Sequence, residues 1–129
     1  MITYVPVDVR KPIAYGPTIN IQKGLTNNFP EVVFELHDGC KYFDLGDECT
    51  LYATVTNTYL ESCSFTGELK ILNPHRGQIF CTLNYADFTE TGFNVLTILC
   101  DTGEEQVSFQ KSVFVESINP SILDIIRKE

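Results

Sequence analysis

The sequence has no tryptophan and few basic residues: lysine and arginine total 9, against 17 aspartates and glutamates, for a formal net charge of −8. A nucleic-acid partner needs concentrated lysine and arginine to neutralise phosphates, and an anionic membrane surface attracts the same side chains. The composition therefore argues against both partners. The absence of tryptophan also removes the Cys–Trp–Cys arrangement of antibody domains and weakens an interpretation based on sugar stacking.

Long apolar runs and a targeting segment are missing as well. No run of about 18 apolar residues occurs, so the sequence predicts no transmembrane helix. The opening residues, MITYVPVDVRK, lack the basic start and apolar stretch of a signal peptide. We expect a soluble protein that is made in a cytosol and stays there unless a particle carries it out.

The 5 cysteines form no Cys-x-x-Cys pair. Their spacings match no zinc signature, and an odd count without a secretion signal disfavours a disulfide framework. Cys81 and Cys100 lie within apolar runs, where a free cysteine behaves as a small hydrophobic residue. We therefore expect reduced structural thiols.

Signatures of catalysis are absent. The sequence contains no G-x-S-x-G, Walker loop or G-x-G-x-x-G. His37 and His75 lie in predicted turns without metal-ligand spacing, so we expect surface histidines. Two acidic clusters, at 44–48 and 101–105, are expected to be solvated loops, with calcium binding as the alternative. The sequence thus predicts a protein that is not an enzyme and has no catalytic, cofactor or metal site.

Hydrophobic residues make up 43% of the chain, and their dominant period is two, as in β-strands. In Thr50–Thr56, for example, Leu51 and Val55 share one face, while Tyr52 lies on the polar face. Tyr52 is either an ordinary cross-strand residue or a partner contact. The main predicted strands are Glu31–Leu36, Thr50–Thr56, Gln78–Leu83, Asn94–Cys100 and Gln106–Val115. Shorter candidates lie at 19–22, 60–65 and 68–72.

Turn signals separate these runs at Asp38-Gly39, at 73–77 and at 101–103, where glycine can adopt a positive φ. The spacing predicts an all-β fold, an Ig-like antiparallel β-sandwich of about eight strands. The expected organisation has three parts: an extended N-terminal arm at 1–17, the β-sandwich at 18–116, and a short C-terminal helix or extension at 117–129.

The two ends of the chain carry the candidate contact residues. Prolines punctuate the apolar arm, so it can form only an edge strand or a strap, docked on its own sheet or on a neighbouring subunit. In the tail, Pro120 suits the first position of a short helix with an isoleucine stripe. That stripe either packs on its own sheet or associates with copies of itself. The candidate partner contacts are Ile2, Tyr4, Val5, Val7, Ile122, Ile125 and Ile126.

The order of turns and strands resembles a known family. The segment DGCKYFDL, Asp38–Leu45, is similar to a turn and strand in the N-terminal domain of phage baseplate upper proteins, and departs from that pattern at Cys40, Tyr42 and Phe43. Two hairpins also resemble the family's: one over Ile71–Leu83 and one that runs from Gly92 to Val115. The exit at Ser117–Ile122 resembles the family's as well, so the resemblance covers about residues 18–122.

This resemblance implies an Ig-like sandwich at the attachment end of tail-tip or fibre proteins of phages that infect Gram-positive bacteria. Such domains anchor receptor-binding parts to the virion, often as trimers. We therefore expect a phage structural protein that connects baseplate or tail-fibre components. It would be assembled in the host cytoplasm and located in the virion, as a homo-oligomer, preferably a trimer, that binds other virion proteins without a cofactor. Two alternatives stay open: a head-fibre or capsid-decorating protein of the same fold, and a carbohydrate-binding or adhesion module.

Overall fold

The computed structural model describes residues 2–14, 16, 18–23, 30–84, 87–88 and 90–117. These residues form 11 strands and one 3₁₀ turn, Pro74–Arg76. Among them is no helix long and apolar enough to cross a membrane. The strands are β1 (Ile2–Asp8), β2 (Lys11–Ala14), β3 (Ile19–Lys23), β4 (Glu31–Asp38), β5 (Lys41–Tyr42), β6 (Thr50–Thr56), β7 (Ser62–Ser64), β8 (Leu69–Asn73), β9 (Gln78–Thr82), β10 (Gly92–Asp101) and β11 (Gln106–Ser117).

The strands form two sheets that stack as a sandwich. Sheet 1 has the order β8-β9-β4-β1, with β5 paired to β4. Sheet 2 has the order β7-β6-β10-β11, and β2 and β3 follow one another along the free edge of β11. Strand β2 also pairs with β1, so the N-terminal segment links both sheets. The all-β prediction is confirmed.

The N-terminal segment explains why the sheets are mixed rather than purely antiparallel. Strand β1 pairs in parallel with β4 along its whole length, from Ile2 opposite Glu31 to Asp8 opposite His37. The chain then turns into β2, crosses to sheet 2 and pairs in parallel with β11 before it returns as β4. Pro6 is tolerated because β1 lies at the edge of sheet 1 except where its last residues meet β2.

The core lies between the two inner faces and follows the predicted alternation. Phe34 of sheet 1 and Phe109 of sheet 2 meet there, with ring centroids 5.0 Å apart. Both sheets supply the fully buried β-branched and leucine side chains around this pair, in register with the period of two. Cys81 and Cys100 belong to this core, as the sequence predicts. Burial of this apolar surface is the main source of stability for such a fold.

The predicted turn at 73–77 contains a single 3₁₀ turn, which joins β8 to β9 and contacts the segment that follows β5. Gly77 ends it with a φ of +63°, and a Cβ added there would lie 2.7 Å from the carbonyl oxygens of both Leu36 and Phe43. Only glycine fits both the left-handed conformation and this close approach. The turn's carbonyl at Pro74 accepts a hydrogen bond from the Leu45 N–H, 2.8 Å away.

Candidate functional site

Strand β1 divides the four predicted contact residues of the arm between two faces. Val5 and Val7 point into the core and are 3% and 0% exposed. Ile2 and Tyr4 lie on the outer face of sheet 1, where Tyr4 keeps 59% of its surface exposed. The structure therefore gives Val5 and Val7 a role in the core and leaves Ile2 and Tyr4 accessible to a partner.

The outer face of sheet 1 continues from Tyr4 as an apolar row. Tyr4 pairs with Val33, and Val33 pairs with Phe80 of β9. Val33 and Phe80 are buried without belonging to the core between the sheets. The Lys70 ammonium lies 5.0 Å from the centre of the Phe80 ring and pairs with Glu68 at 2.9 Å. Because Val33 and Phe80 are buried, the apolar surface that this row leaves open to a partner is that of Tyr4 and its neighbour Ile2.

The three tail isoleucines predicted as contacts, Ile122, Ile125 and Ile126, lie outside the described residues, as does the predicted C-terminal extension beyond Ser117. That these three isoleucines contact a partner stays a prediction.

The hairpin between β6 and β7 ends in an exposed apolar tip, formed by Tyr59 and Leu60. Asn57 builds this turn: its Oδ1 accepts hydrogen bonds from the backbone N–H groups of Tyr59, at 2.9 Å, and Glu61, at 3.0 Å. Leu60 has a φ of +62° and is 85% exposed, and Tyr59 is 70% exposed. A leucine in left-handed backbone conformation is rare because its Cβ crowds the following carbonyl.

Two phenylalanines lie at the same end of the molecule as this tip. Phe93 and Phe114 pair across β10 and β11, with ring centroids 4.9 Å apart in an edge-on arrangement, and Phe93 is 59% exposed. The adjacent Gly92 lies close to the hairpin, since a Cβ added to it would be 3.6 Å from Thr58 Cγ2. Exposed aromatics at one end of a domain are typical of contact surfaces.

A cavity of about 240 Å³ opens beside the hairpin tip. Asn94 lies in its wall, is 1% exposed, and donates hydrogen bonds from Nδ2 to the carbonyl oxygens of Gly92, at 3.1 Å, and Glu90, at 3.3 Å. Its Oδ1 is buried and has no hydrogen-bond partner in the described structure. Other residues in the wall are Asn57, Glu61, Cys63 and Asp87.

Asp87 is the second buried polar residue of this cavity, and its carboxylate is held by Thr66. It accepts hydrogen bonds from the Thr66 backbone N–H, at 3.0 and 3.1 Å, and from Thr66 Oγ1, at 2.6 Å. The Cys63 thiol donates to the Asp87 carbonyl at 3.4 Å. These bonds fix Asp87 in the wall of the cavity.

At the opposite end of β10, the two acidic clusters predicted from the sequence meet around one open concavity of about 460 Å³. The Gly46 N–H donates to Asp44 Oδ1 at 2.8 Å, and this bond, followed by the contact with His75 Nδ1 at 3.3 Å, lowers the pKa of Asp44. No group of three or more acidic, histidine or cysteine side chains among the described residues could hold a metal ion. Five carboxylate side chains line the concavity, which makes it a strongly acidic surface.

The predicted surface histidine His37 belongs to an exposed stack. The centre of its ring lies 5.7 Å from the centre of the Tyr42 ring. The Arg76 guanidinium lies 4.8 Å from the centre of the same Tyr42 ring. Arg76 also donates a hydrogen bond to the Tyr42 hydroxyl at 2.8 Å. These contacts fix Tyr42 on the surface, 48% exposed.

All five cysteines are free thiols in this structure. Burial raises the pKa of Cys81 to about 12, and burial together with the neighbouring Cys49 raises that of Cys100 to about 12. A thiol with such a pKa is not a nucleophile near neutral pH. Cys81 and Cys100 therefore serve packing, as the sequence predicts.

Sequence reasoning identified the two acidic loops but not that they meet, predicted Tyr4 as a partner contact, which stays a prediction, and missed the cavity. Asn94 begins an apolar run, where its amide gives no sign that it faces the core. Leu60 carries no sign of a positive φ, because that conformation depends on the Asn57 hydrogen bonds. A polar residue in phase with a buried face, as Asn94 is with Leu96, is the signal that could have found the site.

These features define a two-sheet all-β domain whose exposed apolar and acidic surfaces lie outside its core. No family model matches the sequence, and no curated protein matches it significantly. Among solved structures, the chain is similar to the N-terminal domain of phage TP901-1 ORF48, with a TM-score of 0.64 and 8% identity. The match covers 89% of this chain and 98% of that one. At this identity the likeness establishes the fold, which is shared with a domain of a phage protein.

Proposed function

We propose that the chain is a non-enzymatic structural protein of a phage virion that connects baseplate or tail-fibre components through protein–protein contacts. The observation that carries this proposal is the fold, which matches almost the whole of a phage protein's N-terminal domain. The resemblance of turns and strands to baseplate upper proteins over about residues 18–122 points to the same class of protein, while no family model matches the sequence. A fold alone does not define a function, so the exposed surfaces must supply the contacts.

The outer face of sheet 1 is the proposed surface for other virion proteins. Ile2 and Tyr4 are accessible there, beside the row that contains Val33 and Phe80. Amphipathic aromatics of this kind are favoured anchors in interfaces. The tail isoleucines Ile122, Ile125 and Ile126 remain part of the proposal as contacts within a homo-oligomer, for which a trimer is favoured by the family resemblance.

Location in the particle tests the proposal directly. Mass spectrometry of purified particles from the phage that encodes the chain, separated into tails and heads, should detect it in the tail fraction. Detection in the head fraction alone would favour the head-fibre or capsid-decorating alternative. Absence from both fractions would contradict a virion role, and a specific signal on a glycan array would favour the adhesion alternative.

The contact surface is tested by a matched pair of tyrosines on opposite outer faces. Tyr4→Ala should reduce incorporation into particles, whereas Tyr52→Ala, on sheet 2 and 56% exposed, should not. Deletion of residues 1–10 would be a poorer test, because it removes buried Val5 and Val7 and disturbs the core. Equal incorporation of the two variants would contradict the proposed role of sheet 1.

A further inference from the structure

The cavity beside the hairpin tip contains a buried acceptor that lacks a donor. Both Asn94 amide hydrogens are directed to the carbonyl oxygens of Glu90 and Gly92, so rotating the amide by half a turn would place Oδ1 against two other acceptors. The orientation is therefore fixed by the network. Oδ1 is left buried and without a partner in the described structure. Buried acceptors are almost always satisfied, so this atom calls for a donor, either water or a group that enters the cavity from a partner.

The charge of the cavity selects the kind of donor. Glu61 and Glu90 lie in its wall together with buried Asp87, and the described lining includes no lysine, arginine or histidine. Carboxylates are acceptors only, so the lining offers acceptors and negative charge to whatever enters. A cation that carries N–H groups meets both requirements. A metal ion does not fit, because no suitable group of ligands exists among the described residues.

The surface next to the cavity fits a protein rather than a small free cation. Asn57 and Glu61 line the cavity and also hold the turn that displays Tyr59 and Leu60. Leu60 keeps an unfavourable φ of +62° while almost fully exposed, so the turn maintains an apolar projection that the isolated chain does not need. A partner would cover this projection while its basic side chain enters the cavity.

We propose that the cavity beside the hairpin tip receives a lysine or arginine side chain of a neighbouring protein, whose apolar surface covers Tyr59 and Leu60. Asn94 Oδ1 accepts a hydrogen bond from the inserted cation, and Glu61 and Glu90 balance its charge. This inference rests on the proposed function for the existence of a neighbouring virion protein. It names the chemistry by which that neighbour is recognised, at a surface separate from the outer face of sheet 1.

Small cations that copy the two side chains test the cavity on the full chain. Titration of the ¹⁵N-labelled protein with n-butylammonium or n-propylguanidinium, at constant ionic strength, should give saturable NMR shifts at the Asn94 side-chain amide and the Asn57 and Glu61 backbone. The better of the two cations identifies lysine or arginine as the inserted residue. Neutral n-butanol should give no saturable shift at these signals.

Matched carboxylate variants separate a site from general attraction to an acidic protein. Glu61→Gln combined with Glu90→Gln should weaken binding of the better cation by about threefold or more, as expected for loss of exposed charge interactions. Glu104→Gln combined with Glu105→Gln, which removes the same charge from the opposite end of the molecule, should leave the affinity unchanged.

Four results would overturn the inference: no saturable shift with either cation, equal shifts with n-butanol, equal weakening by the two double variants, or saturation of these signals by calcium chloride instead. None of them concerns the particle, so the proposed virion role would stand. Conversely, cation binding by a chain that is absent from particles would contradict the virion role and leave the cavity chemistry in place.

Discussion

Leu60 shows how a single residue can carry strain that the rest of the fold does not require. Its φ of +62° is held by hydrogen bonds from the turn to Asn57, and its side chain packs against nothing that would offset the cost. Asparagine and glycine adopt this conformation far more readily than leucine does. Folding alone would therefore favour asparagine or glycine at this position, and the leucine keeps an apolar side chain exposed at the tip of the hairpin.

Replacement of this leucine should stabilise the protein. We expect Leu60→Asn to raise the free energy of unfolding by about 0.5–1 kcal/mol, because asparagine tolerates the left-handed conformation. Urea unfolding measures the change, and Tyr59→Asn, one position earlier in the turn and without a positive φ, serves as the control. A destabilised Leu60→Asn variant would mean that the leucine side chain supports the hairpin.

Lys111 is a buried lysine on the inner face of β11, in phase with Phe109 and Val113. Its Nζ donates to the Gly16 carbonyl at 3.3 Å, which ties the link between β2 and β3 to sheet 2. Loss of water around the ammonium lowers the pKa of Lys111 below 10.5. The charged form is therefore penalised in the folded state, and this penalty disappears when the lysine is neutral in both states.

The difference in unfolding free energy between the native protein and a Lys111→Met variant should depend on pH in a defined direction. Below the folded-state pKa, the native protein carries the full penalty of the buried ammonium. Between that pKa and 10.5 the unfolded chain binds more protons than the folded one, so native stability rises relative to the variant, by at most about 1.4 kcal/mol per pH unit. Urea unfolding between pH 7 and 11 measures the difference, with Lys41→Met, at an exposed lysine, as the control for charge loss. A difference independent of pH would contradict the burial argument.

Strand β1 is the element whose pairing partner the sequence could not identify. Its proline and terminal position predicted an edge strand or strap, and the structure makes it an edge strand of sheet 1: all seven of its residues pair with β4, and its last two also meet β2. Parallel pairing joins segments that are distant in sequence, and no local pattern reveals it. By contrast, β6, β9, β10 and β11 were predictable because one or both of their faces are buried and their alternation follows the core.

The two faces of β1 should respond differently to truncation. Val7→Ala leaves a cavity in the core and should reduce the free energy of unfolding by about 2 kcal/mol. Tyr4→Ala, three residues earlier on the outer face, should change it by less than about 0.5 kcal/mol. Urea unfolding of both variants tests the assignment. Comparable losses would indicate that Tyr4 is part of the folded core, and incorporation defects of Tyr4→Ala could then not be ascribed to a partner contact.

At the scale of the whole molecule, the exposed apolar side chains of the hairpin tip and the acidic concavity lie at opposite ends. Strand β10 spans 10 residues, so its ends lie about 30 Å apart. The Gly92 end carries Phe93 and the hairpin tip, and the Asp101 end carries the acidic concavity. This separation exceeds the distance over which salt screens charge at physiological ionic strength, so the two ends act independently. The composition predicted the excess of acid but not that two acidic loops meet in one concavity, which depends on which loops the sheets bring together.

Repulsion within the acidic concavity should make stability depend on salt. Asp44, Asp47 and Glu48 face Glu104 and Glu105 there, with His75 as the partner of Asp44. Raising sodium chloride from low to near-molar concentration should therefore increase the melting temperature by about 3 °C, a change that corresponds to under 1 kcal/mol in a domain of this size. Glu48→Gln combined with Glu104→Gln should remove much of this increase, because the repulsion is then already relieved. Glu68→Gln, which breaks the pair with Lys70, should leave the increase intact. If the double variant showed the same increase in melting temperature with salt, the increase would come from the net charge of the whole chain and not from repulsion within the concavity.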